Sequence, residues 1–203
     1  MTEEEKLLAG KLFSPQSREL RDIKHKAHEA CREYNMLDEY DQGRRDELIR
    51  SILGSCGRNC YIQGPVQFNY GSHVYIGDDF FANYNFTVVD DNRIFIGDRV
   101  MFAPNVSLVA SSHPLIPEER NGKFGFFAGC GEEIHIGDDV WLACGVTVVG
   151  GVHIGNGSVI GANSVVLHDI PASVLAAGNP CRVIRPITKE DSLRHLIVED
   201  DEN

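Results

Sequence analysis

The feature that most constrains this chain is a period of six. Counting from Ile136, every sixth residue is aliphatic: Leu142, Val148, Ile154, Ile160 and Val166 follow without a miss. A companion column, Ile134, Val140, Val146 and Val152, runs two positions ahead and gives way to Ser158 and Ser164. An upstream block obeys the same rule in Ile76, Ala82, Val88, Ile94, Val100 and Val106, with Ile96, Phe102 and Leu108 beside it. An α-helix repeats its apolar face every 3.6 residues and a simple strand every two, so neither accounts for a period of six with turn residues between. Short strands joined by regular turns do. Three hexads then close one triangular coil, and residues eighteen apart stack about 4.8 Å apart, the spacing of hydrogen-bonded strands. The expected fold is an all-β parallel β-helix, in which each coil buries its apolar column only against its neighbours. IGD or IGN recurs at 76–78, 96–98, 136–138 and 154–156. The glycine is expected to supply the conformational freedom of a tight corner, and Asp or Asn to bond its own nearby backbone.

Outside the hexads the period changes. From Ser17 to Tyr34, apolar Leu20, Ile23, Ala27, Ala30, Cys31 and Tyr34 recur at three- and four-residue steps, and Leu48, Ile49, Ile52 and Leu53 do likewise. Residues 1–55 are therefore expected to form a helical cap, 56–186 the β-helix with an inserted loop at about 109–133, and 187–203 an acidic, solvated tail. With 203 residues, 42% of them hydrophobic, the chain can bury a real core. The start MTEEEKLLAGKLF lacks a cationic n-region, and no apolar run approaches the ~20 residues of a membrane span, which points to the cytoplasm. Six scattered cysteines are expected to be reduced, and Cys56 and Cys60 in CGRNC lack a second pair with zinc spacing. A formal charge of -11 argues against nucleic acid and anionic membrane as partners, so an anionic ligand must be held by local cations.

Between Leu108 and Ile134 the period lapses, and a long excursion from a compact solenoid is usually functional. His113 stands at its start, before Pro114, which restricts the backbone of both residues. An imidazole of pKa ~6.5 can act as a general base near neutral pH. A loop histidine alone leaves that role open.

Four motifs in order narrow it. FANYNFTVVDD at 81–91, SSHPL at 111–115, DVWLACGVTVVGGVHIGNGSVIGANSVV at 139–166 and AAGNPCRVIR at 176–185 resemble the maltose/galactoside O-acetyltransferase branch of the hexapeptide-repeat acyltransferases. The resemblance covers nearly the whole chain. It implies a left-handed coil, against the usual right-handed crossover, and transfer of acetyl from acetyl-CoA to a hydroxyl of a sugar or related small molecule. It makes His113 the general base and Asn83 its active-site partner, with Asp91 and Asn69 as acceptor contacts. On the donor side it implies a backbone contribution at Cys144, a small residue at Ala162 where the pantetheine arm approaches, and phosphate-binding cations at Arg182 and Arg185. It implies no metal, a homotrimer with sites at the subunit interfaces, and a cap lying against the end nearest the sugar site. The acceptor itself is left open by departures from the branch: Phe81 and Phe124 stand where it carries Tyr and Met, Pro15 replaces an acid, Lys24 replaces an arginine, Leu167 replaces a threonine, and the loop around 122–133 is longer.

Two other classes remain as alternatives. His135 and His153, eighteen apart, should stack on adjacent coils and could begin the metal site of a hydratase, but no third histidine has matching spacing. A catalytically inactive structural protein is the other, set against the joint presence of His113, Asn83 and Asp91.

Overall fold

The computed structural model describes residues 1–122 and 128–197. Phe124 and residues 198–203 of the expected tail lie outside the described residues.

Three helices precede the solenoid: α1 (Glu3–Leu8), α2 (Arg18–Met36) and α3 (Gln42–Ile52). The first was not expected from periodicity, because six residues carry too little pattern. Its signal was the capping box, in which Thr2 accepts from the Glu5 backbone and Glu5 accepts from the Thr2 backbone. Ser17 and Asp41 cap α2 and α3 by accepting from Leu20 N and Arg44 N. The faces that α2 and α3 bury include Leu20, Ala27, Cys31 and Tyr34, and Leu48, Ile49 and Ile52. At the end of α2, Asn35 accepts from Val66 N at 2.7 Å and donates to Val66 O at 2.9 Å. One amide thus satisfies both main-chain groups of an end strand that would otherwise be a bare edge.

The hexads form three parallel sheets, the faces of a prism. The first carries Val74–Ile76, Ile94–Ile96, Ile134–Ile136 and Val152–Ile154; the second Phe81–Ala82, Met101–Phe102, Trp141–Leu142 and Val159–Ile160; the third Phe86–Val89, Ser107–Val109, Thr147–Val149 and Val165–Val166. Inward columns such as Val100, Leu108, Ile134, Leu142 and Val148 are completely or almost completely buried. Ser158 and Ser164, which interrupt the column, are buried too, and each hydroxyl both donates to a carbonyl and accepts a backbone N–H.

The register corrects two expectations. Tyr75 pairs with Phe95, twenty residues on, whereas His135 pairs with His153, eighteen on. The early coils are longer because the edge from the third face to the first holds two extra residues there, at Asp90–Asn92. The unbroken count from Val88 to Ile94 therefore crosses columns, and Ile76 stacks on Ile96 while Ile94 stacks on Val74. The glycine of IGD is likewise present for space. A Cβ at Gly77, Gly97 or Gly137 would fall on the side-chain oxygen of Asp98, Asp138 or Asn156 in the next coil. That oxygen accepts from the preceding coil's backbone, Asp98 from Asp78 N at 2.7 Å and Asp138 from Asp98 N at 2.9 Å. The acid bonds the neighbouring coil and not its own turn.

Candidate active site

The enlarged edge between the third and first faces is where the expected acceptor residues gather. After Ala110 the chain leaves the prism as Ser111–Ser112, passes through the short helix α4 (Pro117–Arg120), and returns at Cys130–Gly131, antiparallel to Ser111–Ser112. Gly131 fits because it has no side chain: a Cβ there would lie 2.5 Å from both Ala110 O and Asp91 O. Asn92 Nδ2 donates to Gly131 O at 3.0 Å and ties the loop base to the coil below.

Asp91 joins three coils at this edge. Its Oδ1 accepts from Asn69 Nδ2 at 2.7 Å and its Oδ2 from Ser111 Oγ at 2.6 Å, and the residue is only 6% exposed. Ser111 was missed as an individual site residue. Its sequence signal was its place in SSHPL; its position twenty residues beyond Asp91, one coil on, becomes a signal only with the register in hand. Asp90 faces the interior, accepting from Tyr70 N at 2.8 Å, and burial pushes its carboxyl above the usual range. Its neighbour His73 bonds Asp90 O at 2.8 Å and Glu4 at 3.1 Å, joining α1 to the same edge.

His113 stands two residues beyond Ser111. Its Nδ1 lies 2.7 Å from Ala128 O. A carbonyl can only accept, so Nδ1 carries a proton; in the neutral imidazole this leaves the lone pair on Nε2, the form a general base requires. A cleft of about 570 Å³ opens beside the hairpin, lined by Ser111, Ser112, Cys130 and Val149 among others. Burial raises the Cys130 thiol above its ordinary pKa, which keeps it protonated.

The other expected residues lie on a different edge, between the second and third faces. Asn83 N bonds Phe102 O, Ala143 N bonds Ile160 O and Asn163 N bonds Cys144 O. With Ala103 N bonding Leu142 O, they place Asn83, Cys144 and Ala162 on one edge at its first, third and fourth levels counted from Asn83, the Ala103 level lying between Asn83 and Cys144. Asn85, Asn105 and Asn163 on this edge adopt positive φ of 61°, 63° and 56°, a conformation asparagine tolerates. The whole third face separates this column from His113, Asp91 and Asn69. The two groups are not brought together within one chain.

Arg182 and Arg185 lie on an exposed strand, Arg182–Pro186, antiparallel to Val174–Ala177 at the far end of the second face. Arg182 donates to its neighbour's carbonyl, Cys181 O. Arg185 is held by both carboxylate oxygens of Asp191, at 2.8 and 2.7 Å, and this guanidinium holds the Asp191 carboxyl down at about 2. Asp191 belongs to the stretch expected to be a solvated tail. Here its side chain is engaged.

His135 and His153 stack as expected, ring centroids 4.5 Å apart and 13° from parallel, and Phe95 continues the ladder. Each has its own carboxylate, Glu133 at 2.9 Å and Asp169 at 3.6 Å. Among the described residues, no group of three or more His, Cys, Asp or Glu is placed to hold a metal ion. No helix among them is long and apolar enough to cross a membrane.

Comparison with known proteins agrees with this geometry. A family described as the maltose acetyltransferase hexapeptide capping motif matches residues 6–57, and one described as bacterial transferase hexapeptide (six repeats) matches 133–168. The chain is 41% identical to the galactoside O-acetyltransferase of Escherichia coli over 197 residues, covering 97% of this chain and 94% of that one. A crystal structure of a maltose O-acetyltransferase from Clostridium difficile 630 superposes with a TM-score of 0.89 at 37% identity, covering 93% of this chain and 99% of that one. A galactoside acetyltransferase in complex with coenzyme A gives 0.88 at 40% identity, covering 94% of each. The solenoid is thus the left-handed parallel β-helix, and the chain belongs to the maltose/galactoside O-acetyltransferase branch of the hexapeptide-repeat acyltransferases.

Proposed function

We propose that the protein transfers an acetyl group from acetyl-CoA to a hydroxyl of a sugar or related small molecule by direct attack, with His113 as general base. The acceptor hydroxyl gives its proton to Nε2 of His113 as its oxygen attacks the thioester carbonyl. The C–S bond breaks, and the proton passes on to the departing thiolate. Asp91, held by Asn69 and Ser111, accepts a hydrogen bond from a second acceptor hydroxyl. Asn83 steadies the acceptor or the developing oxyanion. Coenzyme A runs along the Cys144 and Ala162 edge, its pantetheine arm beside backbone and its phosphates toward Arg182 and Arg185.

The observation that carries this reading is the separation of the two groups onto different edges of one prism. A homotrimer that sets the His113 edge of one subunit against the Asn83 edge of the next would complete three sites at three interfaces. The relatives' names give a galactoside and maltose as acceptors of those enzymes, and a hydroxylated sugar suits a carboxylate already anchored on both oxygens.

The test is acetyl-CoA turnover with a panel of mono- and disaccharides, with and without chelator, for the native protein and His113→Ala. Chelator-insensitive transfer that His113→Ala loses, with acetyl-CoA still bound, is expected. Transfer abolished by chelator would contradict the metal-free mechanism, and no turnover of acetyl-CoA with any acceptor would favour a hydratase or an inactive structural protein instead.

A further inference from the structure

We infer that Phe13, in the segment between α1 and α2, is a positioning residue that fixes the His113 imidazole through the returning strand of the loop. The inference rests on the reading of His113 as the base.

Among the described residues the imidazole is anchored by the Ala128 carbonyl, 2.7 Å from Nδ1. Ala128 belongs to the returning arm of a hairpin whose paired part, Ser111–Ser112 with Cys130–Gly131, begins only two residues later. What holds the arm at Ala128 comes from outside the loop. Phe13 N donates to Gly129 O at 3.1 Å, and Gly129 N donates to Phe13 O at 3.0 Å. Two main-chain bonds across one residue pair fix the peptide immediately after Ala128 and, through its planarity, the direction of the Ala128 carbonyl. The segment is anchored in turn. The Phe13 ring is fully buried with Leu7, Leu20 and Tyr70, Ser14 N donates to Glu3 at 2.6 Å, and Arg93 Nη1 donates to Leu8 O at 3.2 Å.

Gly129 shows how closely the two pieces meet. A Cβ there would lie 2.8, 3.1 and 3.3 Å from Cζ, Cε1 and Cε2 of Phe13, closer than the ring allows. The residue has no positive φ to explain a glycine, so the ring explains it. The N-terminal segment thus acts at the catalytic loop: Phe13 sets Gly129, Gly129 sets the Ala128 carbonyl, and that carbonyl fixes the ring and keeps the proton on Nδ1. Without the clamp the imidazole would rotate and exchange tautomers, and less of it would present a bare Nε2 to the acceptor.

The test uses the full chain labelled with ¹⁵N-histidine, the His113 signal being assigned by its loss in His113→Ala. In the native protein the signal is expected to show a protonated Nδ1 and an unprotonated Nε2. Gly129→Ala should give a mixed-tautomer signal and lower kcat about tenfold, with the Michaelis constant for acetyl-CoA changed less than about twofold. Phe13→Leu in the Gly129→Ala background makes room for the methyl group and should recover much of the native tautomer and of kcat. A single native tautomer in Gly129→Ala, or no recovery in the double variant, would overturn the inference. A mixed tautomer with unchanged kcat would uphold the clamp and reject His113 as the base, so the two failures are distinguishable. Should Gly129→Ala not fold, Phe13→Ala, which leaves the loop's sequence intact, is read by the same two measurements against the same outcomes.

Discussion

Asp91 and Ser111, one coil apart on the same edge, are joined by a 2.6 Å hydrogen bond from the serine hydroxyl to Oδ2 of the carboxylate. The serine begins the segment that carries His113, so the carboxylate proposed to hold the acceptor and the proposed base are fixed to each other through two residues of chain.

That link predicts graded effects on the acceptor side. Asp91→Asn should weaken transfer by roughly 1.5–3 kcal/mol, because a carboxylate that accepts from Asn69 and Ser111, and in the proposed complex from the acceptor, becomes a neutral amide. Ser111→Ala, which leaves the carboxylate but frees one oxygen, should cost about 0.5–1.5 kcal/mol in kcat/KM. The losses should be largest for sugars whose hydroxyl engages Asp91. Steady-state kinetics on several sugars checks this, and a change confined to acyl-CoA preference would show the residue misassigned.

Arg185 presents a competition at the donor end. Its guanidinium is occupied by Asp191, so a CoA phosphate held there as proposed would have to displace that carboxylate or share the guanidinium with it. Asp191→Asn should therefore lower the Michaelis constant for acetyl-CoA. Replacing Arg182 and Arg185 together by Ala should raise it and flatten its salt dependence, with acceptor ranking unchanged. Michaelis constants measured across ionic strength decide the point. If Asp191→Asn raises the constant, the ion pair builds the site and does not compete with it.

Cys144 is an exposed free thiol on the donor edge, and the proposed mechanism gives its sulfur no covalent role. Cys144→Ala should keep substantial activity. Rapid-quench mass spectrometry should find no acetylated Cys144 forming at a competent rate; finding one would require a two-step transfer.

The cap is expected to stabilise the solenoid through Asn35. Asn35→Ala leaves both main-chain groups of buried Val66 without their partner and should cost about 1–3 kcal/mol, read as a lower denaturant midpoint with little change in slope. A midpoint unchanged within error would show that the strand is satisfied another way.

What could be read in advance follows from how local each signal is. The columns through Leu142, Ile136 and Val148 repeat over enough coils for period alone to give the solenoid. The edge at Asp90–Asn92 escaped because two added residues keep the count of six intact from Val88 to Ile94 while moving it to the other column. At the site, SSHPL and VVDD named His113 and Asp91, but Ser111 became visible only once the register placed it over Asp91. Phe13 and Gly129 are more than a hundred residues apart and belong to no repeat, so nothing short of the fold could pair them. The ion pair of Asp191 with Arg185 depends on the turn at Lys189–Asp191, which has no periodic signature.

The account's central claim is that each site joins the His113 edge of one subunit to the Asn83 edge of another, and complementation tests it most directly. His113→Ala and Asn83→Ala, each of low activity alone, are unfolded together in equal amounts and refolded, with native protein treated alike as the control. In any mixed trimer one of the three interfaces then carries both native residues, so random reassembly should restore about a quarter of native sites. Mixed trimers verified by mass spectrometry that show no activity above the separate variants would contradict the account.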